Sequence, residues 1–228
     1  RVAWSADLGM LPVDPDVRVA FSDAVQVLAG LGCELVEAAP AAGHPAALWN
    51  TIALAEGYSS EGPFLDSSRE QMSPGIAEII EAGRGITAGQ YVDALHERAQ
   101  YTRVWATFFE EFDVLVTPAM QLTAFPVGLQ TPGTIEGQPV DPFFDDWCTI
   151  CLPANLTGMP ATVVPAGFGA GGRPVGLQVM GPRWADALTL EVAAAFEAHT
   201  PWSGYRPGGG AGEGGRAATF TQQPSRTA

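Results

Sequence analysis

The sequence predicts an α/β fold, and three stretches carry that prediction. Val2-Ala3-Trp4, a helical repeat from Asp14 and the pair Leu35-Val36 set a β-α-β rhythm at the start. Asp113-Val114-Leu115-Val116-Thr117-Pro118 is an apolar run of the kind that forms a buried strand, ended by proline. Two more strand-like runs, Ala161 to Val164 and Val175 to Met180, precede a closing helical stretch.

The first helix has punctuation at both ends. Asp14-Pro15 supplies an N-cap and a first-turn proline, Val17, Phe21, Val25 and Leu28 recur at helical spacing, and Gly32 occupies the C′ place. Residues 45–112 read as helices interrupted at Gly57 to Pro63, Ser73-Pro74 and Gly83 to Gly89. The longest begins near Thr87, and its stripe of Leu95, Tyr101, Trp105, Phe108 and Phe112 reads as core packing. Residues 119–141 turn to Pro, Gly, Thr and Gln without periodicity, a length of loop that more often lines a site than merely connects. A short helix is expected from Phe143 to Leu152, and a last one from Trp184 to His199 with Leu188, Val192 and Phe196 on one face. The organisation expected is a folded unit over 1–206 and a disordered Gly-rich tail over 207–228.

Composition narrows the chemistry. The 228 residues hold 25 acidic and 11 basic side chains, a formal charge of -14, and every basic residue is arginine. Such acidity argues against nucleic acid and against an anionic membrane surface as partners. No apolar run reaches the ~20 residues of a membrane span. Arg1 to Trp4 show no signal-peptide pattern, and the missing initiator Met leaves room for a start upstream. Three cysteines are too few for a disulfide framework, so a cytoplasmic protein is expected. With no lysine there is no Walker lysine, no Schiff base and no lysine base, and arginine does not deprotonate to replace the last two.

The local motifs offer little more. Gly167 to Gly172 fits G-x-G-x-x-G, yet Arg173-Pro174 and a strand follow where a dinucleotide site needs a helix, so a strand-to-strand turn is expected. Cys148-Thr149-Ile150-Cys151 lacks further ligands for zinc and reads as two small apolar side chains on one helix face. Gly57 to Gly62, with Ser59 and Ser60, reads as a helix-ending turn, because Glu61 would crowd a developing oxyanion. Asp93 and His96 read as a solvated surface pair. Asp141, Asp145 and Asp146 lack the spacing of a calcium loop and read as an N-cap with first-turn acids, so neither a metal nor any other cofactor is expected. The residues by themselves give an α/β chain without a complete catalytic set.

Several longer stretches, taken together, resemble one family. They are Arg1 to Gly9 with Pro12 to Val17, Phe112 to Ala119, Pro153-Ala154-Asn155-Leu156-Thr157-Gly158-Met159-Pro160-Ala161 with Val164 to Gly167, and Pro174 to Gly181. Ala185-Asp186, Ala195 to Glu197, Pro201-Trp202 and Arg206-Pro207 follow in the same order. This series resembles the part of amidase signature enzymes that follows their catalytic core, while residues 41–111 match mainly in helical character. The resemblance implies part of a mixed central β-sheet flanked by helices. It also implies hydrolysis of linear carboxamides to acid plus ammonia or amine by a serine nucleophile, a second serine in a cis peptide and a lysine base. A buried lysine of lowered pKa is a neutral base, and the second serine bridges it to the nucleophile.

The sequence departs from that pattern at the catalytic set itself. It contains no lysine and no Gly-Ser-Ser-Gly signature, so no catalytic residue transfers to any position, and the chain is expected to be an inactive C-terminal half. The loop 119–147 is the expected pocket wall, with Thr117, Phe125 and Trp147 as candidates for substrate contact; Trp147 reads equally well as plain core. The expected partner is a small-molecule amide, bound together with the missing half, and the family allows a homodimer of the full-length enzyme. Only Arg84 stands between Ser73 and Ile86, where the glutamyl-tRNA amidotransferase branch of the family is expected to carry an arginine-bearing segment. That favours a free-standing amidase of small or aryl amides. A small-molecule-binding α/β module and a non-catalytic partner chain are the alternatives.

Overall fold

The computed structural model describes residues 1–129, 131–140 and 146–200. A five-stranded mixed sheet organises them. β1 (Val2–Trp4), β2 (Leu35–Glu37) and β3 (Val114–Pro118) run parallel, while β7 (Pro174–Met180) is antiparallel to both β3 and β6 (Ala161–Phe168). The spatial order is β2-β1-β3-β7-β6. All five residues of β3 are buried, which explains its unbroken apolar reading: it sits mid-sheet with both faces covered.

Helix α1 (Pro15–Gly30) connects β1 to β2 as a parallel crossover. Pro15 opens it, and Gly32 just beyond its end has φ +87°, a left-handed conformation that glycine adopts at low cost. Asp14 holds the N-cap place, but its side chain makes no capping bond. Between β2 and β3 lie α2 (Ala46–Glu61), the single turn α3 (Leu65–Ser68), α4 (Pro74–Ala82) and α5 (Ala88–Phe108). α2 runs through Gly57 and ends only at Glu61, so Ser59 and Ser60 lie on a helix instead of in the expected turn. α5 starts with a capping box, in which Thr87 Oγ1 accepts from the Gln90 N–H at 3.3 Å and Gln90 Oε1 accepts from the Thr87 N–H at 2.9 Å. Two more α-helices follow, α6 (Leu152–Thr157) and α7 (Asp186–His199).

Side chains alternate across the sheet and feed two cores. One face, with Ala3, Leu115 and Met180, packs against Leu48 and Ile52 of α2, Tyr101 and Trp105 of α5 and Leu156 of α6. The other, with Val2, Val114, Val116, Leu177 and Val179, packs against Phe21, Val25 and Leu28 of α1 and Phe196 of α7. The aromatic stripe of α5 is therefore core. Gly167 and Phe168 still pair with β7 as the end of β6, and Gly169 to Arg173 make the strand-to-strand connection that the sequence indicates.

The long loop contains more structure than its composition suggests. Thr134–Ile135 (β4) and Gln138–Pro139 (β5) form a small hairpin around Glu136 and Gly137, both at positive φ. Ile135 is buried, and Glu136 accepts from the Val13 N–H at 3.3 Å and pairs with Arg18 at 3.7 Å. The hairpin is thus clipped to the start of α1. The acids expected to cap a helix at Asp141 and Asp145, and the tail over 207–228, lie outside the described residues.

Candidate substrate-pocket wall

The sheet face roofed by α6 also carries the polar residues that hold a pocket wall. Thr117 on β3 and Gln178 on β7 are register partners, both buried, and the Gln178 side-chain amide donates to Thr117 Oγ1 at 3.0 Å. The same amide reaches the Ile150 carbonyl at 3.4 Å, while the Thr117 hydroxyl donates to the Pro118 carbonyl at 3.0 Å. Gln121 works from the loop side. Its amide donates to the Pro12 carbonyl at 3.0 Å, its Oε1 accepts from the Ile150 N–H at 3.3 Å, and its own carbonyl accepts from the Asp14 N–H at 2.8 Å. A buried amide left without partners costs ~1–3 kcal/mol, so these two glutamines fix the turn over Asp146–Cys151 against both sheet and loop.

That turn places Trp147. Its ring meets Phe125 edge to face, with centroids 5.5 Å apart and planes at 87°. Together they wall a hollow of about 240 Å³ that Met120, Leu122, Val175 and Gly176 also line. Of the three sequence candidates, Phe125 and Trp147 come together at the hollow. Thr117 lies fully buried behind the wall and reaches it through Gln178 and Ile150. Gln121 and Gln178 are the residues that sequence reasoning left without a role. The one signal for each is an amide set in an apolar run, Met120-Gln121-Leu122 and Leu177-Gln178-Val179.

The cysteines take part differently from the apolar reading. Cys148 and Cys151 are half-buried, and the Cys151 thiol donates to the Ala119 carbonyl at 3.0 Å, tethering the turn to the end of β3. Burial pushes that thiol up from its ordinary pKa, which keeps it protonated. At the start of α1, burial first and Asp16 second push the Asp14 carboxyl up. His44, His96 and His199 lie elsewhere: His44 accepts from the Ala46 N–H at 3.4 Å, His199 is 3.0 Å from the Ala195 carbonyl, and His96 is exposed, as is Asp93. Among the described residues no group of three His, Cys, Asp or Glu side chains is placed to hold a metal ion, and no helix is long and apolar enough to cross a membrane.

The family model for amidases matches residues 1–190. The chain belongs to the amidase family. It is 37% identical to an acylamidase of Rhodococcus erythropolis over 91% of its own length and 44% of the relative's. It is 32% identical to the A-type subunit of a glutamyl-tRNA(Gln) amidotransferase from Chloroflexus aggregans, over 86% of its length and 43% of the relative's. Among solved structures, a bacterial aryl acylamidase of the amidase signature family shares the fold with a TM-score of 0.76 at 24% identity, covering 89% of this chain and 44% of that one. A second amidase structure gives a TM-score of 0.76 at 26% identity, covering 86% and 45%. The amidase chain described here thus spans less than half the length of the relatives it matches.

Proposed function

We propose that this chain supplies one wall of the substrate pocket of an amide hydrolase, and that the catalytic serines and lysine come from amidase residues outside this sequence. The observation that carries the reading is the aromatic corner of Phe125 and Trp147, set over an apolar hollow by the buried Thr117–Gln178 bond. Edge-to-face rings offer flat apolar surface to an aryl or small alkyl group, while the reacting carbonyl lies toward the missing serine. In the proposed reaction the serine oxygen bonds to the amide carbon, the C–N bond breaks, and the nitrogen leaves with a proton as ammonia or amine. Water then cleaves the acyl-serine ester and frees the acid. The 37% identity to an acylamidase, against 32% to the amidotransferase protein, favours a free-standing amidase of small or aryl amides.

The test is hydrolysis of acetanilide and acetamide. The 228-residue chain alone is expected to release neither aniline nor ammonia. Joined in one polypeptide behind the unmatched portion of the Rhodococcus acylamidase, it is expected to turn over the anilide. In that polypeptide Trp147→Ala and Phe125→Ala each raise KM for acetanilide about tenfold, the loss of ~1.4 kcal/mol of ring contact, and leave acetamide hydrolysis nearly unchanged. Turnover by the chain alone would refute the division of labour, and equal effects on both amides would refute the aryl-binding wall.

A further inference from the structure

The short segment ahead of α1 is gripped from two sides. Val13 is fully buried, and the peptide units before and after it are trans, so each aims its carbonyl and its N–H in opposite directions. On one side the Pro12 carbonyl accepts from the Gln121 amide at 3.0 Å, and the Asp14 N–H donates to the Gln121 carbonyl at 2.8 Å. On the other the Val13 N–H donates to Glu136 Oε2 at 3.3 Å, and the Val13 carbonyl accepts from Arg18 Nε at 3.1 Å. Two successive peptide units are thus strung between Gln121 and an Arg18–Glu136 pair. The pair closes on itself at 3.7 Å, and Arg18 also donates to Asp7 Oδ2 at 2.9 Å.

This grip leads to the hollow. Gln121 Oε1 accepts from the Ile150 N–H at 3.3 Å, and Ile150 lies on the same turn as Trp147. Gln121 itself sits between Met120 and Leu122, which line the hollow together with Phe125. One buried side chain therefore ties the loop that carries Phe125 to the turn that carries Trp147. Hydrogen bonds in series polarise one another, and charged groups at the end of the series strengthen it. Arg18 and Glu136 are each about a third exposed, a setting in which an ion pair adds little to global stability. Neither lines the hollow. What the pair holds is local, the placement of Gln121.

We infer that Arg18 and Glu136 are positioning residues for the aryl-binding wall, acting through Val13 and Gln121 on the turn that carries Trp147. The inference rests on the reading of Phe125 and Trp147 as substrate wall and deepens it by naming what sets their spacing. A flat ring seated against two edge-to-face rings registers a small shift of either one. Acetamide has no such ring, so the anilide alone feels the shift.

Two measurements test it. In the 228-residue chain, amide exchange at Asp14 and Ile150 is expected to quicken about fivefold in Glu136→Ala. In Glu136→Gln it should stay within about twofold of the parent, because the side-chain carbonyl still accepts from the Val13 N–H. The second measurement uses the chain joined behind the unmatched portion of the Rhodococcus acylamidase. There Glu136→Ala and Arg18→Met should each raise KM for acetanilide about fivefold, with kcat and acetamide hydrolysis nearly unchanged, and Glu136→Gln should restore the parent value. Gly137→Ala is the control: it strains the hairpin at φ +75° without touching Val13, and both readouts should match the parent.

Unchanged exchange at Ile150 in Glu136→Ala would overturn the inference whether or not hydrolysis occurs. So would equal effects of the Ala and Gln variants, or the same effect from Gly137→Ala, since a loosened hairpin would then suffice. An anilide KM that rises in Phe125→Ala but not in Glu136→Ala also overturns it and keeps the wall. Faster exchange at Ile150, with an anilide KM that Phe125→Ala and Trp147→Ala leave alone, keeps the positioning of the turn and rejects the substrate wall.

Discussion

Gln178 and Thr117 face each other across β7 and β3, with the amide donating to the hydroxyl at 3.0 Å inside a fully covered part of the sheet. Replacing Gln178 with Leu keeps the volume and leaves the Ile150 carbonyl without this donor. The expected cost is about 2 kcal/mol in urea unfolding, with a change in tryptophan fluorescence as Trp147 loses its footing. Thr117→Val should cost about 1–2 kcal/mol, and the double variant less than the sum, since both remove one bond.

Gly83 stands where α4 ends against α2. A Cβ built there lies 2.0 Å from the Leu54 carbonyl oxygen and 2.8 Å from Tyr58 Cβ. Neither group is a flexible side-chain tip, so Gly83→Ala must push two helices apart. A loss of about 3 kcal/mol is expected in thermal or urea unfolding, at the top of the range for overpacking. Gly85→Ala, where a Cβ meets nothing within 4 Å, is the control and should be near neutral.

Tyr101 lies in the core against Trp105, and burial pushes its phenol up to about 12. The unfolded chain releases that proton near pH 10, so between about 10 and 12 the unfolded state binds fewer protons than the folded one. Stability tied to this group is whole below pH 10 and falls as the pH rises toward 12, by roughly 2–3 kcal/mol. Urea midpoints measured from pH 8 to 12 should show this slope in the parent and a flatter one in Tyr101→Phe.

Glu136 clips the β4–β5 hairpin to α1 through the Val13 N–H and Arg18. The pair with Arg18 is about a third exposed on both sides, so Glu136→Ala should cost no more than about 1 kcal/mol. The clearer readout is local, as faster amide exchange over residues 134–139. Glu136→Gly should lose the same clip yet retain more global stability, because the native φ of +49° suits glycine.

Legibility in the sequence followed period and punctuation. α1 announced itself through Pro15 and Gly32, and α5 through Thr87, because caps and helical spacing are local properties. The buried β3 was equally plain. The loop was not: Thr134-Ile135 and Gln138-Pro139 are too short to show alternation, and the Glu136-Gly137 turn is a weak hairpin signal beside Asn-Gly. Gly57 misled in the opposite direction, since α2 tolerates it and runs on to Glu61. At the candidate wall, Phe125 and Trp147 stand out in the sequence as aromatic residues of the loop expected to line a pocket. The glutamines behind them do not, because their value lies in contacts such as Gln121 with Ile150, which only the folded chain brings together.

The position of β1 bears on how the protein is made. Its three residues pair with β2 on one side and β3 on the other, so Leu35, the partner of Val2 in β2, is made well before Val114, its partner in β3. At ~5–20 residues per second, the nascent β1-α1-β2 unit waits roughly 4 to 15 s on the ribosome before β3 emerges. Throughout that interval the inner edge of β1 has no native neighbour. Co-translational partners therefore have a defined window in which to shield, or to misdirect, what becomes the middle of the sheet.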